Sequence, residues 1–202
     1  MTELLVATKN EKKLREIKEL LADLPFRITS LKDCKNLPEI VEDGKTFAQN
    51  AIIKAATIAQ ATGKLVLGED SGLEVRVLGK RPGVYSARYA AKGPHANASD
   101  EANNAKLLRE LRGVPFKKRV AHYRCSVVLA DRKHLIGVVS GSCRGLIGFR
   151  SKGTHGFGYD PLFVIEKYAK TFGQLGPEIK HTLSHRYKAL LKARRLLKKY
   201  LG

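Results

Sequence analysis

The sequence predicts an α/β fold, a single domain over residues 1–202 built as two lobes around a cleft. A short apolar strand, Leu4–Ala7, passes through a polar turn into a helical pattern of apolar residues. Further strands and helices are mixed along the chain until Arg119–Ala130, where alternate residues are apolar and a second strand follows a short turn. Mixed helices and strands followed by an antiparallel-looking pair favour one α/β unit.

Length and composition are those of a folded globular protein. The 202 residues include 43% hydrophobic and 28% charged side chains, which is enough for one good-sized core. No stretch resembles the apolar core of a signal peptide or the roughly 18 apolar residues that cross a bilayer. The three cysteines, Cys34, Cys125 and Cys143, lack metal-ligand spacing and are expected to be reduced thiols. We therefore expect a cytoplasmic protein with no membrane partner.

The net charge of +19, from 38 basic and 19 acidic residues, is a strong bias. Such a bias is typical of nucleic-acid-binding proteins, although a site for nucleotide phosphates also needs cations. The basic residues are spread along the chain with one dense cluster at Lys188–Lys199, and no zinc-finger spacing or RNP-like stretch occurs. Nucleic acid is therefore the less favoured partner. A nucleotide site needs only a few cations, so most of this charge is left without a function.

The first strand leads into a possible phosphate-binding turn. Thr8-Lys9-Asn10 connects it to a helix that Pro25 ends, and the apolar residues of that helix have three- and four-residue spacing: Leu14, Ile17, Leu21 and Leu24. A strand that enters a helix through a short polar turn leaves free backbone N–H groups and the positive end of the helix dipole there. Many α/β proteins begin in this way, so the pattern alone does not establish a nucleotide site.

A second helix is predicted over Thr46–Thr62, with its first residue as the N-cap and Gly63 as its stop. Leu65–Leu67 and Leu73–Leu78 are predicted as two strands separated by Gly68–Gly72. One face of the helix is apolar: Phe47, Ala51, Ala55, Ile58 and Ala59.

The second half of the chain carries a third helix, Asp100–Leu111, and a long strand, Arg119–Ala130. Leu135–Ser142 is the predicted partner of that strand. A glycine-rich loop follows at Gly153–Pro161, and the last helix begins at Ser184.

Two acidic segments are candidates for holding a divalent cation. Glu69-Asp70 lies between two apolar strands, where a buried carboxylate is costly unless a cation or hydrogen bonds compensate it. Mg²⁺ prefers one or two carboxylates together with waters and substrate phosphates. Because Asp, Ser and Gly are turn residues, a solvated β-turn is the alternative interpretation. The second segment, Glu39–Gly44, precedes the second helix and either converges with the first or forms a charged surface loop.

Several basic residues are candidates for binding phosphate. Lys54 lies seven residues after Phe47 on the second helix and so near its core-facing side, which is unusual for a lysine unless it reaches a site. Lys12 and Lys13 could equally be solvated helix residues. The set is Lys9, Lys12, Lys13, Lys54, Lys180 and Arg186.

The glycine-rich loop places Phe157 and Tyr159 among glycines, and a planar ring beside permissive backbone is suited to stacking on a base. The chain has no G-x-x-x-x-G-K-[ST] motif, and Phe157 could instead be a core residue beneath a tight turn. In Ser184-His185-Arg186, the histidine could be an exposed cap residue or could contact a base edge or phosphate with Arg186. No serine or cysteine has a context that favours covalent catalysis.

These segments share their order and spacing with one enzyme family almost from end to end of the chain. They are Ala7–Asn10 followed by Lys13; Glu42–Phe47; Asn50-Ala51 with Lys54-Ala55; Glu69–Leu73; Pro82–Arg88; Gly156–Pro161; and Ser184–Arg186. Each segment is weak alone, but their joint order is specific. The sequence resembles the inosine triphosphate pyrophosphatase family, which hydrolyses non-standard purine nucleoside triphosphates.

The resemblance implies an elongated α/β fold with two lobes, a mixed sheet flanked by helices and a central nucleotide-binding cleft. It implies a homodimer that depends on Mg²⁺ and hydrolyses ITP, dITP, XTP and dXTP to the monophosphate and pyrophosphate. Such an activity removes deaminated purines from the nucleotide pool. A nucleotide pyrophosphatase of broader specificity is the first alternative, and a basic nucleic-acid-binding protein with structural acids is the second.

The resemblance also implies roles for individual residues. Asp70 is the general base and a metal ligand, and Glu42 is the second metal ligand, with Glu39 or Glu69 as alternatives. The residues that bind substrate are Thr8, Lys9, Asn10, Glu11, Lys12, Lys13, Lys54 and Ser71, with Phe157, Gly158, Tyr159, Asp160, Lys180, His185 and Arg186 at the base.

A donor-rich pocket would accept the 6-keto group of inosine or xanthosine and reject the 6-amino group of adenosine. The candidate donors are the backbone N–H groups of Phe157–Asp160 together with Lys180, His185 and Arg186. Four residues depart from the family pattern: Glu69 where Asp is common, Gln49 where Glu is usual, and His155 and Tyr187 where Gly is usual.

Overall fold

The computed structural model describes residues 2–93 and 96–201. Five α-helices flank the strands in the described part of the chain: α1 (Glu11–Leu20), α2 (Phe47–Thr62), α3 (Asp100–Glu110), α4 (Pro177–Leu183) and α5 (His185–Leu201). The strands are β1 (Thr2–Ala7), β2 (Phe26–Ser30), β3 (Leu65–Val75), β4 (Val120–Ala130), β5 (Leu135–Ile147), β6 (Phe163–Ile165) and β7 (Lys170–Thr171). None of the described helices is long and apolar enough to cross a membrane.

The strands form one mixed sheet in the order β2-β1-β3-β4-β5-β6-β7. β1 pairs in parallel with β2 and with β3, and Ala7 is the register partner of Gly68. β6 pairs antiparallel with both β5 and β7. The α/β class with a mixed sheet and flanking helices is therefore confirmed.

The chain divides into two compact units. The first unit comprises Met1–Asp70, Cys125–Gly141 and His185–Gly202, and the second comprises Ser71–Arg124 and Ser142–Ser184. β3, β4 and β5 each contribute residues to both units.

In the first unit, the sheet is buried on both faces, which explains the unbroken apolar run at the start of the chain. Leu4 and Val6 of β1 pack in a cluster with residues of α1 and α5, whereas Leu5 and Ala7 pack in a second cluster with residues of α2. Successive strand residues point to opposite faces, so a strand covered by helices on both sides is apolar throughout.

The core of the second unit is aromatic. The ring of Phe163 lies 4.5 Å from that of Tyr123 and 5.5 Å from that of Phe172, and Leu107 and Leu111 belong to the same cluster.

The prediction of two strands separated by a turn at Gly68–Gly72 is wrong, because β3 runs unbroken from Leu65 to Val75. Turn-forming residue types predicted the interruption, but the backbone at Gly68 continues its pairing with β1. The end of the second predicted strand is a 3-10 turn at Arg76–Leu78.

The predicted second helix is confirmed, with Thr46 as N-cap, Gly63 at φ 69° as C-cap, and its apolar face buried. α1 ends at Leu20, earlier than its apolar spacing suggested, and β5 extends beyond Ser142 to Ile147. The short elements β2, β6, β7 and α4 were not predicted.

Candidate functional site

In the first unit, Asp70 is a buried carboxylate of β3 held by two side chains of α2. It is 7% exposed, its Oδ1 lies 3.0 Å from Nζ of Lys54, and its Oδ2 accepts a hydrogen bond of 3.3 Å from Nδ2 of Asn50. Asn50 and Lys54 are four residues apart and so lie on the same face of the helix. Burial raises the pKa of the Asp70 carboxyl, against the opposing charges of Lys54 and Lys13.

Lys54 connects two carboxylates. Its Nζ lies 2.7 Å from Oε2 of Glu42 and 3.0 Å from Asp70, and it also donates to the carbonyl of Glu69 at 3.2 Å. Burial disfavours the ammonium charge, but Asp70 and Glu42 outweigh that penalty and raise the pKa of Lys54. The lysine on the core-facing side of the second helix therefore lies among acids.

The close packing of α2 on β3 depends on Gly68. A Cβ at this position would lie 2.3 Å from the carbonyl oxygen of Ala51 and 2.9 Å from Cβ of Ala55. Since no side chain fits in that space, Gly68 lets the helix approach near enough for Asn50 and Lys54 to reach Asp70.

Asn50 also positions the acidic loop before α2. Its Oδ1 accepts a hydrogen bond of 2.8 Å from the backbone N–H of Gly44, two residues after Glu42. Gln49, where the family usually has Glu, completes a capping box with Thr46, because its Oε1 accepts from the Thr46 N–H at 3.1 Å. Glu39 is exposed, so the structure brings Glu42, rather than Glu39, to Lys54 and Asp70.

Glu69 belongs to a different cluster from Asp70, because adjacent strand residues face opposite sides of the sheet. It is 1% exposed, and its Oε1 accepts hydrogen bonds of 3.2 Å from both Nε and Nη2 of Arg186. Nζ of Lys13 lies 2.8 Å from its other oxygen, and the thiol of Cys125 donates to Oε1 at 3.3 Å. The structure therefore gives Glu69 basic partners of its own and leaves Glu42 as the acid that shares Lys54 with Asp70.

Arg186 is 1% exposed and also pairs with Glu16. Burial opposes its charge, but Glu69 and Glu16 raise its pKa. In this structure Arg186 holds two carboxylates, and its assignment to the base remains a prediction. His185 is 4% exposed, so the interpretation of it as an exposed cap residue is wrong.

The predicted triphosphate turn is ordered by its own side chains. Thr8 Oγ1 accepts a hydrogen bond of 3.1 Å from the Asn10 N–H, and Asn10 Oδ1 caps α1 by accepting from the Lys13 N–H at 3.1 Å. Thr8, Lys9, Asn10 and Glu11 line a cleft of about 310 Å³. Three further cations line it that sequence reasoning missed: Arg15, Lys18 and Lys32. Lys9 and Lys12 are exposed, and Glu11 pairs with Lys32.

In the second unit, Asp160 organises the glycine-rich loop. This carboxylate is 2% exposed, and its Oδ2 accepts from the Phe157 N–H at 2.9 Å and from Nζ of Lys180 at 2.8 Å. The same Nζ lies 4.6 Å from the centroid of the Phe157 ring. Gly156 has φ 78°, and a Cβ there would lie 2.1 Å from Oδ2 of Asp160, so only glycine fits.

Gly158 is held at both of its backbone groups by α3. Its N–H donates to Oδ2 of Asp100 at 2.8 Å, and its carbonyl accepts from Nδ2 of Asn104 at 3.0 Å. The Asp160 N–H in turn donates to the Phe157 carbonyl at 3.2 Å.

Three N–H groups of the loop, those of Phe157, Gly158 and Asp160, therefore already have acceptors within the protein. This corrects the expectation that they donate to a purine base. Tyr159 is 3% exposed and its hydroxyl donates to the Ser86 carbonyl at 2.8 Å, so it is a core residue and offers no stacking face. Phe157 is partly exposed, and Ser71 also belongs to the second unit.

Sequence reasoning missed Asn50, Glu16, Asp100 and Asn104 as supporting residues. A signal existed for Asn50 alone, because it is a polar residue four positions before Lys54 on a helix face that is otherwise apolar. The other three act through contacts distant in sequence.

Comparison with known proteins places this geometry in context. The model of the Ham1 family matches residues 4–196. The dITP/XTP pyrophosphatase of Geobacter sulfurreducens is 48% identical over 202 residues, covering 100% of this chain and 98% of that protein. The dITP/XTP pyrophosphatase of Desulforamulus reducens is 46% identical over 194 residues, covering 96% of this chain and 94% of that protein.

Solved structures give the same result for the fold. A HAM1 protein from Coxiella burnetii superposes with a TM-score of 0.88 at 36% identity, covering 98% of this chain and 100% of that one. The Ham1 protein of Staphylococcus aureus superposes with a TM-score of 0.86 at 35% identity, with the same coverage of 98% and 100%.

Proposed function

Because this chain belongs to the Ham1 family, we propose that it hydrolyses ITP, dITP, XTP and dXTP to the nucleoside monophosphate and pyrophosphate. The names of its relatives, dITP/XTP pyrophosphatase, support this substrate class. The observation that carries the proposal is Asp70, a buried carboxylate bracketed by Lys54 and Asn50 with Glu42 on the same lysine. Structural turns have no need of such a group, whereas a hydrolytic site does.

In the proposed reaction, Asp70 orients a water molecule and accepts its proton as the water oxygen attacks the α-phosphorus. The bond from the α-phosphorus to the bridging oxygen breaks, and pyrophosphate leaves. Burial raises the pKa of Asp70 and so makes its carboxylate a stronger proton acceptor than an exposed one. The ammonium of Lys54, held between Asp70 and Glu42, supplies positive charge beside the reacting phosphate.

Mg²⁺ is part of the proposal, and the donor set agrees with it. Among the described residues, no three His, Cys, Asp or Glu side chains form a group that could hold a metal ion alone. Glu42 and Asp70 supply two carboxylates, the number that Mg²⁺ commonly takes from protein when substrate phosphates and waters complete its shell. These two residues would hold the ion, which would neutralise phosphate charge during hydrolysis. We therefore expect metal and triphosphate to bind together.

The turn before α1 is the proposed site for the triphosphate. The start of α1 offers backbone N–H groups and the positive end of the helix dipole, and Thr8 and Asn10 hold the turn in shape before substrate arrives. Lys13 is already paired with Glu69, so its charge is shared between that acid and any phosphate.

Selection of the base is proposed to use side-chain donors. Lys180 and His185 are the remaining candidates for recognising a 6-keto group, since three loop N–H groups have acceptors within the protein and Arg186 holds Glu69 and Glu16. Guanine also carries a 6-keto group, so its exclusion must depend on the 2-position.

A substrate panel tests the proposal. Purified protein is incubated with ITP, XTP, GTP or ATP, with Mg²⁺ or with EDTA, and pyrophosphate release is measured. We expect release from ITP and XTP that exceeds release from ATP by several orders of magnitude and that EDTA abolishes. Equal turnover of ATP would favour the broader pyrophosphatase. Absence of pyrophosphate release from every nucleotide would reject the enzyme and favour a basic binding protein.

We also propose a homodimer, on the basis of the family resemblance. Sedimentation velocity over a range of protein concentrations measures it directly. A single species with the mass of one chain at every concentration would reject it.

A further inference from the structure

Two phenylalanines of the second unit are exposed side by side. Phe149 is 63% exposed and Phe116 is 36% exposed, and their ring centroids lie 5.9 Å apart. Neither residue belongs to the proposed site. A large exposed apolar pair is costly in water and is usually retained for a binding function.

Positive charge surrounds this pair. Two grooves, of about 730 and 580 Å³, share Phe149 as a lining residue. Six cations line them: Arg109, Arg112, Lys117, Arg119, Arg150 and Lys152. Glu166 is the one carboxylate among the lining residues described, and it is paired with Arg144. We call the two rings and these six cations the aromatic–basic face.

Arg119 fixes the positive charge of this face. It is 4% exposed and donates to the carbonyls of Val114 at 2.9 Å, Gly148 at 2.9 Å and Leu111 at 2.8 Å. Its guanidinium lies 4.1 Å from the centroid of the Phe149 ring. Neutral acceptors satisfy its N–H groups, and within residues 2–93 and 96–201 it has no ion pair with a carboxylate. Its charge therefore adds to the positive potential of the face.

We propose that the aromatic–basic face binds single-stranded nucleic acid, with phosphates on the cations and bases stacked on Phe116 and Phe149. Cations that follow a backbone, combined with aromatic rings that accept any base, are the physical basis of single-strand binding without sequence preference. A polyanion is complementary to six cations, whereas a second copy of the same face would bring like charges together. The proposal gives a function to part of the +19 charge that a nucleotide site does not need.

The first experiment measures fluorescence anisotropy of a labelled oligodeoxythymidine of roughly 12 nucleotides, within the usual site size for stacking grooves. The full chain is used in EDTA, so that hydrolysis does not interfere. We expect Phe149→Ala to weaken binding about tenfold, since stacking on one ring accounts for roughly that factor per base. Circular dichroism checks that the variant is folded, and Phe116→Ala gives a second, independent reading.

The second experiment separates this face from the bulk charge of the protein. Lys117→Gln with Arg150→Gln removes two cations from the face, and Arg132→Gln with Lys133→Gln removes two exposed cations from the turn between β4 and β5. We expect the first pair to lower the slope of log affinity against log salt by about 1.4, at roughly 0.7 per phosphate contact. The control pair should leave the slope near that of the unaltered protein.

A third measurement uses Phe149→Trp, whose indole fluorescence should be quenched when a base stacks on it. Equal weakening by both charge pairs, or no quenching at saturation, would show non-specific attraction and overturn the proposal. A blue shift with phosphatidylserine vesicles and no response to the oligonucleotide would indicate a membrane surface instead. Conversion of a dimer to a monomer by Phe149→Ala, with no oligonucleotide binding, would make the face an interface between copies.

Discussion

Two buried aspartates, one in each unit, make the same kind of ion pair. Asp70 of the first unit lies 3.0 Å from Lys54, and Asp160 of the second lies 2.8 Å from Lys180. The other contacts of each pair differ. The pairing oxygen of Asp160 also accepts a hydrogen bond from a backbone N–H of its own loop, whereas Lys54 of the other pair binds a second carboxylate, Glu42.

This difference separates shaping a loop from doing chemistry. Asp160 ties Phe157 and Lys180 into one arrangement, and Gly156 leaves the space that the carboxylate occupies. Asp70 receives only side chains of the neighbouring helix, so its position is fixed from outside the strand that carries it. An ion pair alone therefore does not identify a catalytic group, and the surrounding contacts decide.

The largest expected effect is on turnover by Asp70→Asn. The substitution keeps the shape of the side chain but removes the base and a charge, and kcat for ITP should fall about 10²- to 10⁴-fold. Pyrophosphate release measures the loss. Asp23→Asn, at a surface ion pair with Arg194, is the matched control and should keep normal turnover. Turnover near that of the unaltered protein in the Asp70 variant would remove it from the reaction.

Asp160→Asn should act mainly on stability. It leaves the ammonium of Lys180 buried without its carboxylate, and breaking a buried pair costs about 3–5 kcal/mol of the free energy of unfolding. Urea denaturation measures the change. For comparison, Asp23→Asn breaks an exposed pair and should cost about 1 kcal/mol or less. If the two variants lost equal stability, Asp160 would not be the organiser of its loop.

Gly68→Ala tests the close packing that lets α2 reach Asp70. Its Cβ would meet the Ala51 carbonyl at 2.3 Å, so helix and strand must separate, at about 1–3 kcal/mol of stability. Thermal unfolding measures the cost, and kcat should fall as well because Asn50 and Lys54 move with the helix. Gly148→Ala is the control, since its nearest non-neighbouring atom would lie at an ordinary 3.5 Å. Unchanged stability of the Gly68 variant would contradict the packing argument.

The smallest expected effect is that of Asp100→Ala in the second unit. It removes the acceptor of the Gly158 N–H, and one hydrogen bond to a charged group contributes about 1.5 kcal/mol or less at a partly exposed position. We expect the ratio of kcat/KM for ITP over ATP to fall several-fold while kcat for ITP changes little. The matched control is Glu101→Ala in the same helical turn. An unaltered ratio would show that the position of Gly158 does not affect selection of the base.

Local patterns predicted much of the fold. The cap residues and apolar face of α2 lie within one segment, and so do the alternation of β4 and the apolar run of β1. The order of motifs was also sufficient to identify the family. The end of α1 was less predictable, because the apolar spacing continues through Leu24 although Leu21 already has the C-cap conformation.

Long-range contacts could not be predicted in the same way. Glu69-Asp70 has the composition of a turn, and only its partners, Lys54 from one helix and Arg186 from another, make a strand with two buried carboxylates stable there. Likewise, whether an N–H group of the glycine-rich loop is available to a ligand depends on Asp100 and Asp160, and no pattern within the loop records the first of these.

The sequence by itself determined the family, the helices with clear caps, and the identity of the residues available for chemistry, because these depend on neighbours along the chain. Only the tertiary structure decided that Asp70 and Glu69 have separate sets of partners, that Tyr159 is a core residue, and that Arg186 holds two acids. The physical reason is that the charge and hydrogen-bonding state of a buried polar group depend on whatever surrounds it, and most of those surroundings come from distant parts of the chain.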